Sequence, residues 1–491
     1  VGDAAEWTRT YDRGLYSVEV TNRGASLRRW TLSTYHERTD DGDVPVELIS
    51  VPDPFSAVLA TPLTELGLGD LSNVLWEVES EREDGVGFVV SSDGVEVRKT
   101  YQFDADTYGF RLTVEVVNNG SRVVSPRFET LWPAAVRPGQ DFVEQSLAAN
   151  QAGDIERQPV AGIGQPGFFD NLIGSADPDG ITRLRGDIEW VGVDNRYFIS
   201  ALLPDRGRDA EVRFEPLVLG EAGVALVGFS PVELVPGQSH SQEFRGFVGP
   251  KERVRLEAVS SSLATSINQG WAWAAPLVAL FEWMLAAIYS LIPNYGVAII
   301  ILTILVRVVT MPIMGRQMKS MEKMRALQPK LKELQEKHGD DKQKKSEEMM
   351  ALYKKEGVNP LGGCLPMLLQ FPVFIGLFYA LQSSIDLRQA DFMLWITDLS
   401  APEALFTIPG LDIPFRVLPV VMGASMVLQQ KFTPTTVDPA QARMMMTIMP
   451  VMFTVLFYQF PSGLVLYWMI SNFLGIGHQI WVGRRMRAQS S

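Results

Sequence analysis

The chain has 491 residues, 46% of them hydrophobic, and a formal net charge of −13. That length exceeds a single domain, and the acidic balance argues against a chain built to grip a nucleic-acid backbone. The one cysteine, Cys364, rules out an intrachain disulfide and leaves the redox compartment unread.

The charge is unevenly spread. Residues 1–270 carry 24 Lys+Arg against 42 Asp+Glu, net −18, and residues 271–491 carry 20 against 15, net +5. An acidic, soluble half therefore precedes a mildly basic half suited to lipid. The chain begins at Val1 with neither an initiator methionine nor a signal sequence, as expected of a piece of a longer protein.

Residues 1–258 read as an all-β domain. Tyr16, Val18 and Val20 alternate with Ser17, Glu19 and Thr21; Val95, Val97, Tyr101 and Phe103 share one face, and Phe110, Leu112, Val114 and Val116 repeat the pattern. Period-two alternation means sheets with one buried face. Ser92-Asp93-Gly94 and Asn118-Asn119-Gly120 have tight-turn chemistry, and many strands without a helical period predict a large antiparallel sandwich. His36 and His240 are its only histidines, and no metal-ligand or nucleophile spacing accompanies them. The domain reads as a binding or spacer module.

Residues 259–292 read as a linker followed by an interfacial amphipathic helix. Trp271, Trp273 and Trp283 suit the headgroup level, while Pro276 and Glu282 disfavour a full crossing. Residues 293–314 are the first span, and they carry Arg307, with Thr303 and Thr310 on its face. A permanent charge at such depth is costly and usually functional. No Asp or Glu occurs in the later candidate spans, so the arginine is expected to lack a partner. It either snorkels to the interface or lines a wet, positive cavity.

Residues 315–359 hold twelve Lys+Arg and eight Asp+Glu over a stripe of Met314, Met318, Met321, Leu327, Leu331 and Leu334. That predicts a charged helical hairpin, broken near Pro329, that packs on itself or on a partner. Further spans are expected at 360–382, 413–430, 444–460 and 463–483, joined by an acidic loop at 383–412 and a basic one at 431–443, with a basic tail at 484–491. Lys and Arg in 315–359, 431–443 and the tail place those segments in the cytoplasm, and the β-domain and 383–412 outside. Uncharged polar residues in the spans, Ser471 and Asn472 among them, read as interhelical glue. Pro366, Pro372, Pro419 and Pro450 predict irregular helices. Met422, Met426, Met444, Met445, Met446, Met449 and Met452 offer an adaptable surface or fill lipid-facing positions.

The strings VNPLGGCLPMLLQFPVF (358–374), LRQADFMLWITDLS (387–400), KFTPTTV (431–437) and FPSGLVLYWMISN (460–472) closely resemble the YidC-type membrane protein insertase family. The resemblance runs from about Trp271 to Arg485, and the β-domain is similar to that family's periplasmic β-supersandwich. The family usually has one more span ahead of that domain, absent from this sequence. The resemblance implies a five-helix insertase core with a cytoplasmic helical hairpin in the cell inner membrane. It implies a hydrophilic groove containing Arg307, with Thr303, Gln370, Tyr467 and Trp468, and with Phe374 and Met422 facing the client. It implies insertion and folding of nascent integral membrane proteins, with the Sec translocase and without it, a ribosome at the hairpin and tail, and no cofactor, metal or bond chemistry. A polytopic small-solute transporter or channel is the competing reading. It demands a continuous polar path, and the outer halves of the spans nearly lack charge.

Overall fold

The computed structural model describes residues 4–39, 42–50, 57–136, 144–165, 180–205, 209–327, 329–330, 333, 342–356, 365–411, 413–432 and 439–490. The chain divides into two compact units, Val1–Asn268 and Gln269–Ser491.

The first unit opens with an antiparallel meander of β1 (Thr8–Asp12), β2 (Tyr16–Thr21), β3 (Ser26–Thr39) and β4 (Gly42–Ser50). There follow β5 (Glu77–Arg82), β6 (Gly85–Ser92), β7 (Val95–Phe103), β8 (Gly109–Asn118) and β9 (Glu129–Ala135). Next come β10 (Ser146–Gln151), β11 (Asp154–Pro159), β12 (Thr182–Gly186) and β13 (Ile188–Asp194). β14 (Phe198–Pro204), β15 (Ala210–Val218), β16 (Ala222–Phe229) and β17 (Ser239–Pro250) complete the set. Among the described residues one nine-stranded sheet runs β11-β10-β13-β14-β17-β8-β7-β6-β5 and a four-stranded one runs β12-β15-β16-β9. The alternation in β7 is kept: Val95, Val97, Tyr101 and Phe103 are all buried. Lys99 falls on the same face and is wholly buried, its Nζ donating to the Leu59 carbonyl.

Asp93 and Gly94, at φ 51° and 79°, turn β6 back into β7, as the dipeptide predicts for a primed turn. Asn118-Asn119-Gly120 is not a hairpin turn. Asn118 Nδ2 donates to the carbonyls of Arg122 and Leu234, both at 2.8 Å, and the chain leaves for the other sheet.

The linker expected from 259 belongs, up to Asn268, to the first unit. After helix α1 (Arg253–Val259) a 3₁₀ turn, Ser261–Ser266, is tied down by buried polar groups. Asp194 pairs with Lys251 and, at 2.7 Å, with Arg157. Arg157 Nη2 and Lys251 Nζ both donate to the Ser266 carbonyl, at 2.9 and 3.1 Å. Trp190 Nε1 donates to the Ser262 carbonyl at 3.0 Å.

The second unit holds α2 (Ala275–Leu291), α3 (Tyr295–Ala326), α4 (Lys342–Lys355), α5 (Leu365–Ser383), α6 (Val417–Phe432), α7 (Pro439–Phe457) and α8 (Ser462–Ser490). Asn294 Oδ1 accepts from Val297 N at 3.0 Å and so caps α3. α3 does not stop at 314: it runs unbroken through Gly315 to Ala326, so the first arm of the charged hairpin continues the same helix. The hairpin packs on itself, with buried Leu327 against Met349, Leu352 and Tyr353, and Lys330 Nζ 2.9 Å from Glu356 Oε1. The side chains of Met318, Met321, Leu331 and Leu334 lie outside the described residues, as do 357–364 and 433–438.

Two helix boundaries correct the sequence reading. Residues 413–415 are not the start of a span: β18 (Phe406–Ile408) and β19 (Ile413–Phe415) pair as a hairpin, and the helix begins at Val417. α7 starts at Pro439, inside the expected loop, and ends at Phe457. Of the four prolines, Pro419 sits in a first turn, where a missing N–H costs nothing; Pro372 and Pro450 lie inside their helices. Polar groups hold the 383–411 segment together. Buried Glu403 accepts from Trp395 Nε1 at 2.6 Å and from Leu418 N, in the first turn of α6, at 2.7 Å. The start of α8 is held by Ser462 Oγ, which donates to the Asp398 carbonyl at 2.7 Å. Gly296 of α3 passes so close to Phe392 that a Cβ there would meet its ring at 1.9 Å.

Candidate functional site

Arg307 is half-buried where α3 meets α8. Its Nε donates to Ser471 Oγ at 3.0 Å, and its Nη2 donates to the same hydroxyl at 2.5 Å and to the Ser471 carbonyl at 2.8 Å. Nη1 faces Met314 Sδ at 3.8 Å. The expectation of a partnerless arginine is therefore corrected: it has a neutral partner, and among the described residues no carboxylate pairs with it. A planar fork meets both acceptors of one residue, a geometry an ammonium lacks.

The guanidinium borders a pocket of ≈ 70 Å³ with a mostly apolar wall, Ile304, Val308, Met311, Met314 and Leu474, to which Thr310, Gly475 and His478 are added. The volume is that of a few water molecules, and Arg307, Thr310 and His478 are the polar side chains in the wall. Gly475 contributes to this space, since a Cβ there would lie 2.7 Å from Gln429 Nε2 and 3.8 Å from Arg307 Nη2. Thr310 Oγ1 donates back to the Val306 carbonyl at 3.0 Å, so its hydroxyl is engaged on its own helix.

The other predicted residues are divided among three places. Gln370 Nε2 donates to the hydroxyl of buried Tyr467 at 2.5 Å, joining α5 to α8 one turn before Ser471. Phe374 and Trp468 meet edge to face, centroids 5.0 Å apart at 84°, and Trp468 also contacts Phe457 at 5.1 Å and Phe453 at 5.9 Å. Both rings are partly buried and pack on the helical core. Thr303 and Met422 lie in the interior, at 1% and 0% exposure, so neither lines the pocket. Thr303 Oγ1 donates to the Ile299 carbonyl at 2.6 Å.

Sequence reasoning missed Ser471 as the arginine's anchor and His478 as pocket wall. Ser471 lies one helical turn after Tyr467, and that spacing was the available signal. Its neighbour Asn472 does act as interhelical glue, donating to Ser425 Oγ at 2.9 Å. Among the described residues Tyr295–Gly315 is the one helix long and apolar enough to cross a membrane; Ala275–Leu291 and Met446–Phe457 are apolar but shorter. No cluster of His, Cys, Asp and Glu among the described residues is fit to hold a metal.

Residues 287–489 match the family described as 60Kd inner membrane protein, and residues 10–280 match the YidC periplasmic domain. A membrane protein insertase YidC of Geobacter sulfurreducens is 35% identical over 96% of this chain and 85% of its own. One from Nitratidesulfovibrio vulgaris is 38% identical, again over 96% and 85%. A crystal structure of an active YidC insertase with its first transmembrane domain resolved is 18% identical, with TM-score 0.40, covering 97% of this chain and 92% of that one. By its matches along nearly its whole length, the chain belongs to the YidC family of membrane protein insertases.

Proposed function

We propose that this chain inserts nascent membrane proteins into the inner membrane by taking their polar segments into the pocket beside Arg307. The observation that carries the reading is the orientation of the guanidinium: Ser471 holds Nε and Nη2, and among the described residues Nη1 meets only a thioether. A thioether is a weak acceptor, so Nη1 is available to an incoming carboxylate, carbonyl or water. A client's polar tail enters this wet pocket, which shortens its path through hydrocarbon, and the flanking apolar helix passes out to lipid. The driving force is client hydrophobicity and, for acidic tails, the membrane potential, about 2.3 kcal/mol per charge per 100 mV. The protein forms no bond in its client and is not an enzyme.

In this reading α3, α5, α6, α7 and α8 are the five spans, α2 lies in the interface with Trp271, Trp273 and Trp283 exposed, and the self-packed hairpin of α3 and α4 is cytoplasmic, where it and the tail meet the ribosome. The β unit and 383–412 are periplasmic, and the protein works with the Sec translocase and alone. Gln370, Phe374 and Trp468, each partly buried, form the wall on which the client slides, and buried Tyr467, Thr303 and Met422 support it from behind. Purified protein in liposomes, offered a single-span client, is expected to leave the client's outer tail protected from external protease in a topology-dependent way. Insertion no better than in empty liposomes refutes the proposal.

A further inference from the structure

Helix α6 is short for a span. Its apolar run, 417–428, gives way to Gln429, Gln430 and Lys431, and those 12 residues rise roughly 18 Å, against a hydrocarbon core of roughly 30 Å. Such a shortfall is met by thinning the bilayer or by added apolar surface at the helix end. Immediately before α6 stands the β18–β19 hairpin, and its apolar side chains are uncovered: Leu405, Phe406, Leu411, Ile413 and Phe415 are all exposed, Leu411 at the turn by 66%. Scattered exposed apolar residues need no explanation, but a contiguous set does. The Phe406 and Phe415 rings stack with centroids 5.1 Å apart at 21°. Past Arg416 the exposed apolar positions resume on α6 itself, at Val420 and Val421.

The hairpin is fixed in place. The Tyr458 hydroxyl donates to the Pro414 carbonyl, and Arg416 donates to the Tyr458 carbonyl and lies 4.8 Å from that ring's centroid. The strand that leads into α6 also has Pro414 at its centre, which removes one backbone donor from its edge. Remaining edge groups would be costly in hydrocarbon and are satisfied in the headgroup layer.

We infer that the β18–β19 hairpin is seated in lipid: it lies at the headgroup–acyl boundary of the outer leaflet, with phospholipid covering its apolar face, and supplies the apolar height that α6 lacks. A three-residue strand advances about 10 Å, most of the missing length. This inference rests on the reading of α3 and α5–α8 as membrane spans.

The test places an environment-sensitive fluorophore on Leu411→Cys, in the whole protein with Cys364→Ser, reconstituted in phosphatidylcholine vesicles. Val309→Cys on α3 and Val123→Cys in the β unit, 75% and 56% exposed at the native residues, serve as the lipid and water references. The Leu411 probe is expected to emit to the blue of the Val123 probe, to resist aqueous iodide, and to be quenched more by a nitroxide near the lipid headgroup than by one at the chain end. A Leu411 probe that behaves like the Val123 probe, while the Val309 probe is quenched from lipid, overturns this inference and leaves the spans standing. Shielding from iodide without quenching by either lipid places protein over the hairpin and overturns it as well. Failure of lipid quenching at Val309 overturns the span reading itself.

Discussion

Replacing Arg307 separates charge from shape. Two of its nitrogens are committed to Ser471, so Arg307→Ala releases that hydroxyl and carbonyl and removes the donor that Nη1 presents to the pocket. One charge-assisted hydrogen bond contributes about 1.5–3 kcal/mol, and partial exposure of the arginine discounts this to about 1–2 kcal/mol. At about 1.4 kcal/mol per tenfold, clients with an acidic outer tail should insert about 5- to 30-fold more slowly in Arg307→Ala, and purely apolar clients at nearly the native rate. Arg307→Lys keeps the charge without the fork that grips Ser471, and should fall between the two. Arg307→Glu should be worse than alanine for acidic tails, because like charges then meet in a half-buried site. The assay is the initial rate of insertion into liposomes for matched single-span clients that differ only in the number of aspartates in the outer tail. Equal losses across that series would refute the electrostatic argument and leave Arg307 as a residue that shapes or hydrates the pocket. No loss in any client would make it a passive, snorkelling charge.

Burial pushes the Lys99 ammonium well below the ordinary 10.5, so between those values the unfolded chain binds one proton more than the folded one and stability rises with pH, by about 1.4 kcal/mol per unit. Lys99→Met should remove that rise between neutral and alkaline pH, read as the urea midpoint of the β unit by pulse proteolysis of the whole protein; an unchanged slope refutes the assignment. Leu327→Ala, which empties the contact with Met349, Leu352 and Tyr353, should cost the hairpin about 2 kcal/mol and speed amide exchange in Lys342–Lys355, while exchange in α8 stays as it was. Removal of 4–250 should leave complementation of an insertase-depleted strain largely intact and removal of 320–350 should abolish it; the opposite ranking would put the client-handling surface in the β unit.

The sheets were legible because burial there is written at period two. β7 shows both the power and the limit of that signal: every second residue from Val95 to Phe103 is buried, Lys99 included. Hydropathy alone passes over the lysine, whose donor is satisfied by one carbonyl remote in sequence. The helical half was legible as apolar runs but not in its boundaries. Ile413, Pro414 and Phe415 are as apolar as a span, and it is pairing with Phe406–Ile408 that makes them a strand. The arginine stands out by its charge, and a charge in an apolar run predicts a carboxylate partner. The acceptors are a hydroxyl and a carbonyl of a residue 164 positions away, which no local pattern encodes. Thr303 shares the arginine's face on a helical projection, but the packing of Leu302 and Ile299 around it turns that part of the face into core.

The knot of Arg157, Asp194 and Lys251 around the Ser266 carbonyl settles where this protein can be cut. A β module excised at Val259 would keep the buried Lys251–Asp194 pair and the half-buried Arg157 and lose the carbonyl to which both basic groups donate, leaving charged groups facing a vacated groove. Excised at Asn268, it carries its own seal. The same seal makes the β unit portable: it can be grafted, tagged or exchanged between relatives as a cassette ending at 268, whereas a graft ending a few residues earlier transplants a wound.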